Sequence, residues 1–548
     1  MSELEAVARR MRQGGWIYHS AALAPITSSG AFRVLLTAQL VGILGRWMQS
    51  LTAQWALVHD SPAMVALVPT MMSLPVVLFA LLMGAFADLF DRRRMLLVTQ
   101  AGLGVTAAAM AAFSVAGLAT PWLTLGLMFL MGTWTAANMP PFQSAISEVV
   151  PKEHVVQAAT LTAVGANIGR AIGPAIAGGV VVATGLGGGF GIGALAYFAA
   201  FAYTTRVGSL GVPIRPTEKL GEAIRAGNRY VRHSQMTTRV LFWSVVYVAL
   251  NAALWGLLPS LAERRLGLGA SGYGLLMGAV GLGALLGALA MPFATKRWSN
   301  TQLFGMGSAM TAVATIAITL VPNAALAGIT LIPFGVGYII VIALTNGTLQ
   351  LALPRWVRAR GLAWYLVSFH IAMAGGSAAW GFAASTFGVS ETVVVSGIVL
   401  LATAPLLAVI RLPDTASIEN SEGAAWPEPQ LALDVAARDG AVTVTTVFRV
   451  AKEHHAEFVT TMERVGRARR RTGACRHELL QEASSPDTFI ERYVTPSWQG
   501  YVRQQAECLT PSDREQVRRA RGLAYEVGES RHWVTPPPSV EAPAGDEG

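Results

Sequence analysis

Residues 84–96 read GAFADLFDRRRML. Two aspartates and three arginines crowd this stretch, yet long apolar runs lie on both sides of it. The chain as a whole is 53% hydrophobic and only 13% charged, with a mean hydropathy of +0.47. Most of the 56 glycines fall inside apolar stretches, where glycine lets membrane helices approach closely. A charged turn between two segments of this kind reads as a loop at a membrane surface. The composition is that of an integral membrane protein.

A spanning helix needs about 20 apolar residues. Working outward from residue 84, twelve such segments are expected: 34–58, 64–83, 95–118, 123–147, 155–183, 189–204, 240–261, 273–294, 302–321, 325–349, 362–387 and 392–410. Alternate loops differ sharply in charge. One side carries Arg92, Arg93, Arg94, Lys152, the basic run within 206–239, Lys296, Arg297, Arg355, Arg358 and Arg360; the other carries Arg264 and Arg265. This asymmetry places the first side, with both termini, in the cytoplasm. It also argues against nucleic acid as the partner of a chain with net charge +9. The start of the chain is polar and basic and does not read as a cleavable signal. Cys475 and Cys508 are too few for a disulfide framework.

The expected organisation is a cytoplasmic tail over 1–30, a six-helix half over 31–204, a central cytoplasmic loop over 205–238, and a second six-helix half over 239–411. A linker over 412–440, a soluble domain over 441–533 and a disordered tail over 534–548 follow. Within the central loop, EKLGEAIRAGNRYVRH sets Leu220, Ile224 and Tyr230 against Arg225, Arg229 and Arg232, an amphipathic pattern suited to the membrane interface or to a solvated linker helix. In the soluble domain, AVTVTTVFRV reads as a strand, EHHAEFVTTMERVGRARRR as a helix, CRHELLQEA and TFIERYVT as two strands, and SWQGYVRQQAECL as a second helix.

Gly84, Asp88, Arg92 and Arg93 now have a context. Their spacing resembles the cytoplasmic signature of the major facilitator superfamily, G-x-x-x-D-x-x-G-R-R/K, with Asp91 where the family prefers glycine. The resemblance implies that this cluster, with Glu148, latches the two halves together in the outward-facing state. In the fifth segment, Gly169, Gly173, Pro174, Gly178 and Gly179 resemble the glycine-proline motif of that superfamily's exporters; small residues at this spacing make a smooth packing face.

Polar groups inside membrane helices are costly and are candidates for the substrate cavity. These are Arg46, Asn138, Gln143, Arg170, Asn251, Asn346 and His370. Arg46 and Arg170, if both face the cavity, favour an anionic or carbonyl-rich substrate; the plainer roles are that Arg46 reaches the interface, that Arg170 bonds backbone carbonyls, and that the amides and His370 bond from helix to helix. The segments hold no carboxylate away from their ends, so proton coupling is implied by family and not by a visible titrating pair.

FRVLLTAQLVGILGRWMQSLTAQWALV, QSAISEVVPKEHVVQAATLTAVGANIGRAIGPAIAG and RRRTGACRHELLQEASSPDTFIERYVTPSW together resemble the transmembrane secretion effector family, which is similar to the enterobactin exporter. The resemblance implies an all-α, twelve-helix secondary transporter of the inner membrane, driven by the proton gradient without a bound cofactor and exporting siderophore-, antibiotic- or drug-like small molecules. The soluble domain is similar to antibiotic biosynthesis monooxygenases, with a ferredoxin-like α+β fold that implies homodimerisation. His454, His455, His477, Glu478 and Trp498 form no metal or triad signature, and Gln504-Gln505 stands where that group often carries a histidine. A docking, dimerising or sensing role is expected before a catalytic one. The rival reading is a membrane-anchored enzyme or sensor acting through this domain.

Overall fold

A computed structural model describes residues 24–208, 228–354, 357–413 and 440–534. The linker, the tail beyond 534 and most of the amphipathic stretch of the central loop lie outside the described residues. The helices start where short polar residues can cap them. Ser29, Ser61, Asp91, Thr120 and Ser299 each accept a backbone N–H of the first turn, and Pro62 and Pro121 follow their caps directly.

The first half comprises α1 (Gly30–Ala56), α2 (Pro62–Leu89), α3 (Arg92–Val115), α4 (Pro121–Val149) and α5 (Val155–Thr204). α5 is two helices joined at Gly185, whose φ of 72° is open to glycine. Packing along α1 shows that the chain reverses there. Gly165, Gly169 and Gly173 pack in that order on Leu40, Ile43 and Trp47, whereas Gly193 and Gly189 meet Gln49 and Thr52 in the opposite sense. The core of this half gathers Val65, Val68, Leu103, Met110, Met128, Met131, Phe190 and Tyr197.

The second half comprises α6 (Gln235–Arg264), α7 (Ala270–Arg297), α8 (Asn300–Ala317), α9 (Ala324–Ala352), α10 (Arg358–Phe387), α11 (Val389–Ala402) and the short α12 (Leu406–Val409). Another left-handed glycine, Gly388 (φ 99°), separates α10 from α11. Trp380 Nε1 donates to the Ala249 carbonyl and Trp243 Nε1 to that of Ile410, so α10 and the end of α12 both rest against α6.

Eight helices among the described residues are long and apolar enough to cross a membrane. α1, α4 and α8 are not among them, although they coincide with expected spans, and α5 counts once, over Ile172–Thr204, where two spans are expected. α1 carries Arg33, Arg46, Gln39, Gln49 and Gln54, and α8 carries Asn300, Ser308, Thr311 and Thr315; several of these are buried against neighbouring helices and not turned to lipid.

The chain divides into two compact units: 1–216, 242–345 and 365–411 form one, and 217–241, 346–364 and 412–548 the other. The second unit contains β1 (Val442–Val450), α13 (His455–Thr472), β2 (Arg476–Gln481), β3 (Thr488–Thr495), α14 (Trp498–Arg503), α15 (Pro511–Leu523), β4 (Ala524–Val527) and β5 (Arg531–Val534). All strand pairs are antiparallel, in the order β2-β3-β1-β4, with β5 also on β1. β3 is interior, its Tyr493 opposite Val444 and its Glu491 opposite Thr446. Phe458 of α13 packs its ring on those of Phe448 and Phe489 at 5.4 and 5.2 Å. The segment expected as one helix from Ser497 divides into α14 and a π turn over Gln504–Cys508. α15 and the two short final strands extend the expected strand–helix–strand–strand–helix order.

Candidate functional site

The two halves meet through polar groups that an apolar helix would otherwise leave unsatisfied. Gln54, 4% exposed near the end of α1, donates from Nε2 to the Trp255 carbonyl (3.1 Å) and accepts from the Tyr273 hydroxyl (2.7 Å). Thr70 donates to the Ala374 carbonyl (3.0 Å), Ser377 to that of Ala66 (2.7 Å), and the Ala63 N–H donates to Ser385 Oγ (3.2 Å). α5 and α7 touch backbone to backbone: a Cβ on Gly178 would lie 2.7 Å from the Ala270 carbonyl oxygen, and one on Gly274 2.8 Å from that of Pro174. At the rim, His59 Nδ1 lies 2.5 Å from a carboxylate oxygen of Glu263. All these contacts sit at one end of the bundle, opposite the turn at Asp91.

Two helical turns back from Gln54, about 12 Å along α1, stands Arg46. It is exposed on α1. His370 lies one turn before Ala374; its Nδ1 is buried without a hydrogen-bond partner among the described residues, and its ring meets Phe369 edge-on. Arg46 and His370, one from each half, thus stand about two turns behind Gln54 and one turn before Ala374 on their own helices. Asn251 lies on α6, 3% exposed, its Nδ2 donating to the Tyr247 carbonyl and its Oδ1 buried without a hydrogen-bond partner among the described residues. Beside it Tyr247, Tyr338, Trp255 and Phe334 form a run of rings with centroids 5.3–6.4 Å apart.

The other candidates have separate positions. Asn138 joins α4 to α3 through Thr99 Oγ1 (2.7 Å), and Gln143 is exposed on α4. Asn346 accepts from Gln350 one turn along α9 and belongs to the second unit. Arg170 is in α5, its side chain outside the described set.

At the opposite end, Asp91 caps α3 by accepting the Arg94 N–H (2.8 Å). Arg92, largely buried, pairs with Glu148 at the end of α4, and Arg93 donates to the Thr205 carbonyl beyond α5 (2.9 Å). This cluster thus ties three helices of the first half. Gly84 and Asp88 lie in the last turns of α2, with their surroundings outside the described set. In the glycine motif, Gly169 and Gly173 seat α1 while Pro174 and Gly178 seat α7; Gly179 faces open space.

In the α+β domain, Arg469, His477 and Glu491 are buried together. Arg469 Nε donates to Glu491 Oε1 (3.3 Å), His477 Nε2 lies 3.4 Å from the same oxygen, and the guanidinium stacks 4.5 Å over Tyr493. Burial disfavours the Glu491 anion, but Arg469 and His477 outweigh it and hold the carboxyl below its ordinary value. Burial also pushes the Tyr501 hydroxyl up to about 12. His455 bonds the Val450 carbonyl elsewhere, and Glu478 pairs with Arg476 and Arg492. No grouping of metal-ligating side chains occurs among the described residues.

The profile of the transmembrane secretion effector family matches residues 20–534, nearly the whole chain. The chain belongs to that family. It is 26% identical over 167 residues to an uncharacterized MFS-type transporter, YfiS, of Bacillus subtilis (strain 168), a match covering 30% of this chain and 39% of the relative. Among solved structures it is similar to a bacterial homologue of the human lysosomal transporter Spinster in an inward-facing, unoccupied conformation (15% identity, TM-score 0.55, 69% of this chain and 94% of that one). The nucleoside transporter NupG superposes with a TM-score of 0.57 at 11% identity, over 70% and 99% of the two chains. A POT family transporter does so with 0.57 at 13%, over 69% and 95%. The fold is thus that of MFS transporters, and this family member is a multi-pass membrane transporter.

Gln54, Tyr273, Thr70, Ser377 and the His59–Glu263 pair were not singled out from sequence. The available signal was polarity within apolar helices, as in MQSLTAQWA, but a lone glutamine or threonine does not disclose which helix will face it.

Proposed function

We propose that this transporter exports a small amphipathic metabolite of siderophore, antibiotic or drug type by alternating access. The carrying observation is that the contacts between halves crowd one end of the bundle, with Arg46 and His370 directly behind them. Twelve spans follow if the arms on either side of Gly185 each cross the bilayer, and the arginine-bearing turns then face the cytoplasm with both termini. In that orientation the closed end is outermost and the cavity opens inward, ready to load a solute for export. The described carboxylates of the bundle lie at helix ends, so the mid-bundle charge supplied by Arg46 favours an anionic or carbonyl-rich solute. Exchange for protons is the proposed energy source, and the Asp88–Arg92 region is the proposed cytoplasmic latch once the halves rock. The β2-β3-β1-β4 order supports a ferredoxin-like domain resembling the monooxygenases, and its scattered histidines favour a non-catalytic role.

The test is uptake of a panel of fluorescent aromatic anions and cations into inverted vesicles with and without an imposed pH gradient. Anions should accumulate in a gradient-dependent manner, and Arg46→Ala should reduce that uptake severalfold while leaving insertion intact. Preference for cations, or equal uptake by Arg46→Ala, would overturn the assignment of Arg46.

A further inference from the structure

The short helical segment over residues 228–233 enters α6 almost without a break. The Ser234 N–H donates to the Tyr230 carbonyl (2.9 Å), the Thr238 N–H to that of Ser234 (2.9 Å), and Ser234 Oγ accepts the Thr237 N–H (3.3 Å). Tyr230 is thus joined by backbone hydrogen bonds to the root of α6. Tyr230 is an aromatic residue in a basic, polar stretch, yet it is only 5% exposed. The α+β domain of the same unit supplies a cationic neighbour. The Arg471 guanidinium lies 5.8 Å from its ring centroid, within cation–π range. Burial raises the Tyr230 hydroxyl above its ordinary value although Arg471 opposes this.

Arg471 is held from behind. Its Nη2 donates to both carboxylate oxygens of Asp513, at 2.6 and 2.5 Å. Asp513 is 7% exposed and also closes the capping box of α15 with Thr510. Two residues earlier, on the inner face of the same helix, Arg469 is anchored on Glu491, and Gln504 Nε2 donates to the Arg469 carbonyl and to Thr472 Oγ1 (both 2.9 Å). The last turn of α13 is thus fixed from inside while it presents a cation outward. A cation–π contact backed by a buried carboxylate is directional and costly to vacate.

We propose that the α+β domain is a built-in regulatory partner of the transporter: by holding Tyr230 with the Arg471–Asp513 pair it sets the root of α6, and with it the balance between the two access states. The partner surface is the chain's own connection between its halves. The inference rests on the alternating-access reading above.

The full chain in lipid nanodiscs, with Cys475→Ser and Cys508→Ser, would carry spin labels at positions 118 and 320, both exposed at the closed end. Hydrogen exchange over 228–234 reports the grip, and the inter-label distance distribution reports the access state. Tyr230→Ala and Arg471→Ala should each speed exchange there about tenfold and change the ratio of the two distance populations at least about threefold, whereas Tyr230→Phe, which keeps the ring and loses only the hydroxyl's bond to Ser234, should change both by much less than Tyr230→Ala. Faster exchange with unchanged populations would reduce the contact to a structural one and overturn the proposal. Unchanged exchange in both alanine variants would show that there is no grip. A parent distance that never varies with pH would sink the alternating-access reading together with this one; a distance that varies but ignores both alanine variants overturns this one alone.

Discussion

Gln54 and Tyr273 join the two halves through a single amide: the phenol donates to its oxygen while its nitrogen donates onward to the Trp255 carbonyl. Each such bond is worth about 0.5–1.5 kcal/mol net, and an orphaned buried partner costs more. Gln54→Ala should therefore favour opening of this end by about 1–3 kcal/mol, and Tyr273→Phe by less, because it removes one bond only. Labelling of a cysteine placed at Ala63 by an impermeant thiol reagent measures this. Equal labelling in parent and Gln54→Ala would count against the amide as a fastener.

Gly178 and Gly179 are adjacent but meet different surroundings. A methyl on Gly178 would press on the Ala270 carbonyl and the Gly274 Cα, while one on Gly179 meets nothing within 4 Å. Gly178→Ala should cost about 1–3 kcal/mol of stability or force α5 and α7 apart, with transport impaired. Gly179→Ala should be silent. Thermal unfolding in detergent beside uptake separates the two.

Asp91 occupies a position where the superfamily signature has glycine, and here it caps α3. Removing a cap costs about 1 kcal/mol when alanine replaces it and only a few tenths when glycine does. Asp91→Ala should thus lower the melting temperature more than Asp91→Gly. The reverse order would mean that turn geometry, and not the cap, governs this position.

Glu491 predicts an acid limb. Its folded pKa is depressed, so the stabilisation it gives is complete above the ordinary value of 4.5 and is lost as pH falls through the lowered folded value. Hydrogen exchange of β1 and β3 in the full chain should accelerate on acidification through that range. Glu491→Gln should be destabilised by about 3–5 kcal/mol at neutral pH, because Arg469 is left buried without its counter-charge, and should show a flatter acid response.

Long segments free of charge were legible as helices, and eight of those among the described residues are long and apolar enough to cross a membrane; the break expected between 183 and 189 was less so, because α5 turns there on Gly185 alone. The glycine row of α5 was legible for a similar reason: small residues at four-residue spacing serve one helix face, and Gly169 and Gly173 indeed seat α1. Gly178 was readable as a packing residue but its partner was not, since nothing local names α7. Likewise Arg92 was singled out, whereas its pairing with Glu148 inside one half depends on how α3 and α4 are brought together. In the α+β domain, β4 and β5 escaped notice because four-residue strands with alternately exposed polar side chains carry too little pattern to stand out from a loop.

Gly185 and Gly388 occupy similar places, each turning the chain back on a single residue between two helices of its half. A protease, an antibody or a tag inserted from that side finds almost no polypeptide to seize at either tip. Handles on this rim belong instead at the wider bends near Gly117 and Gly267.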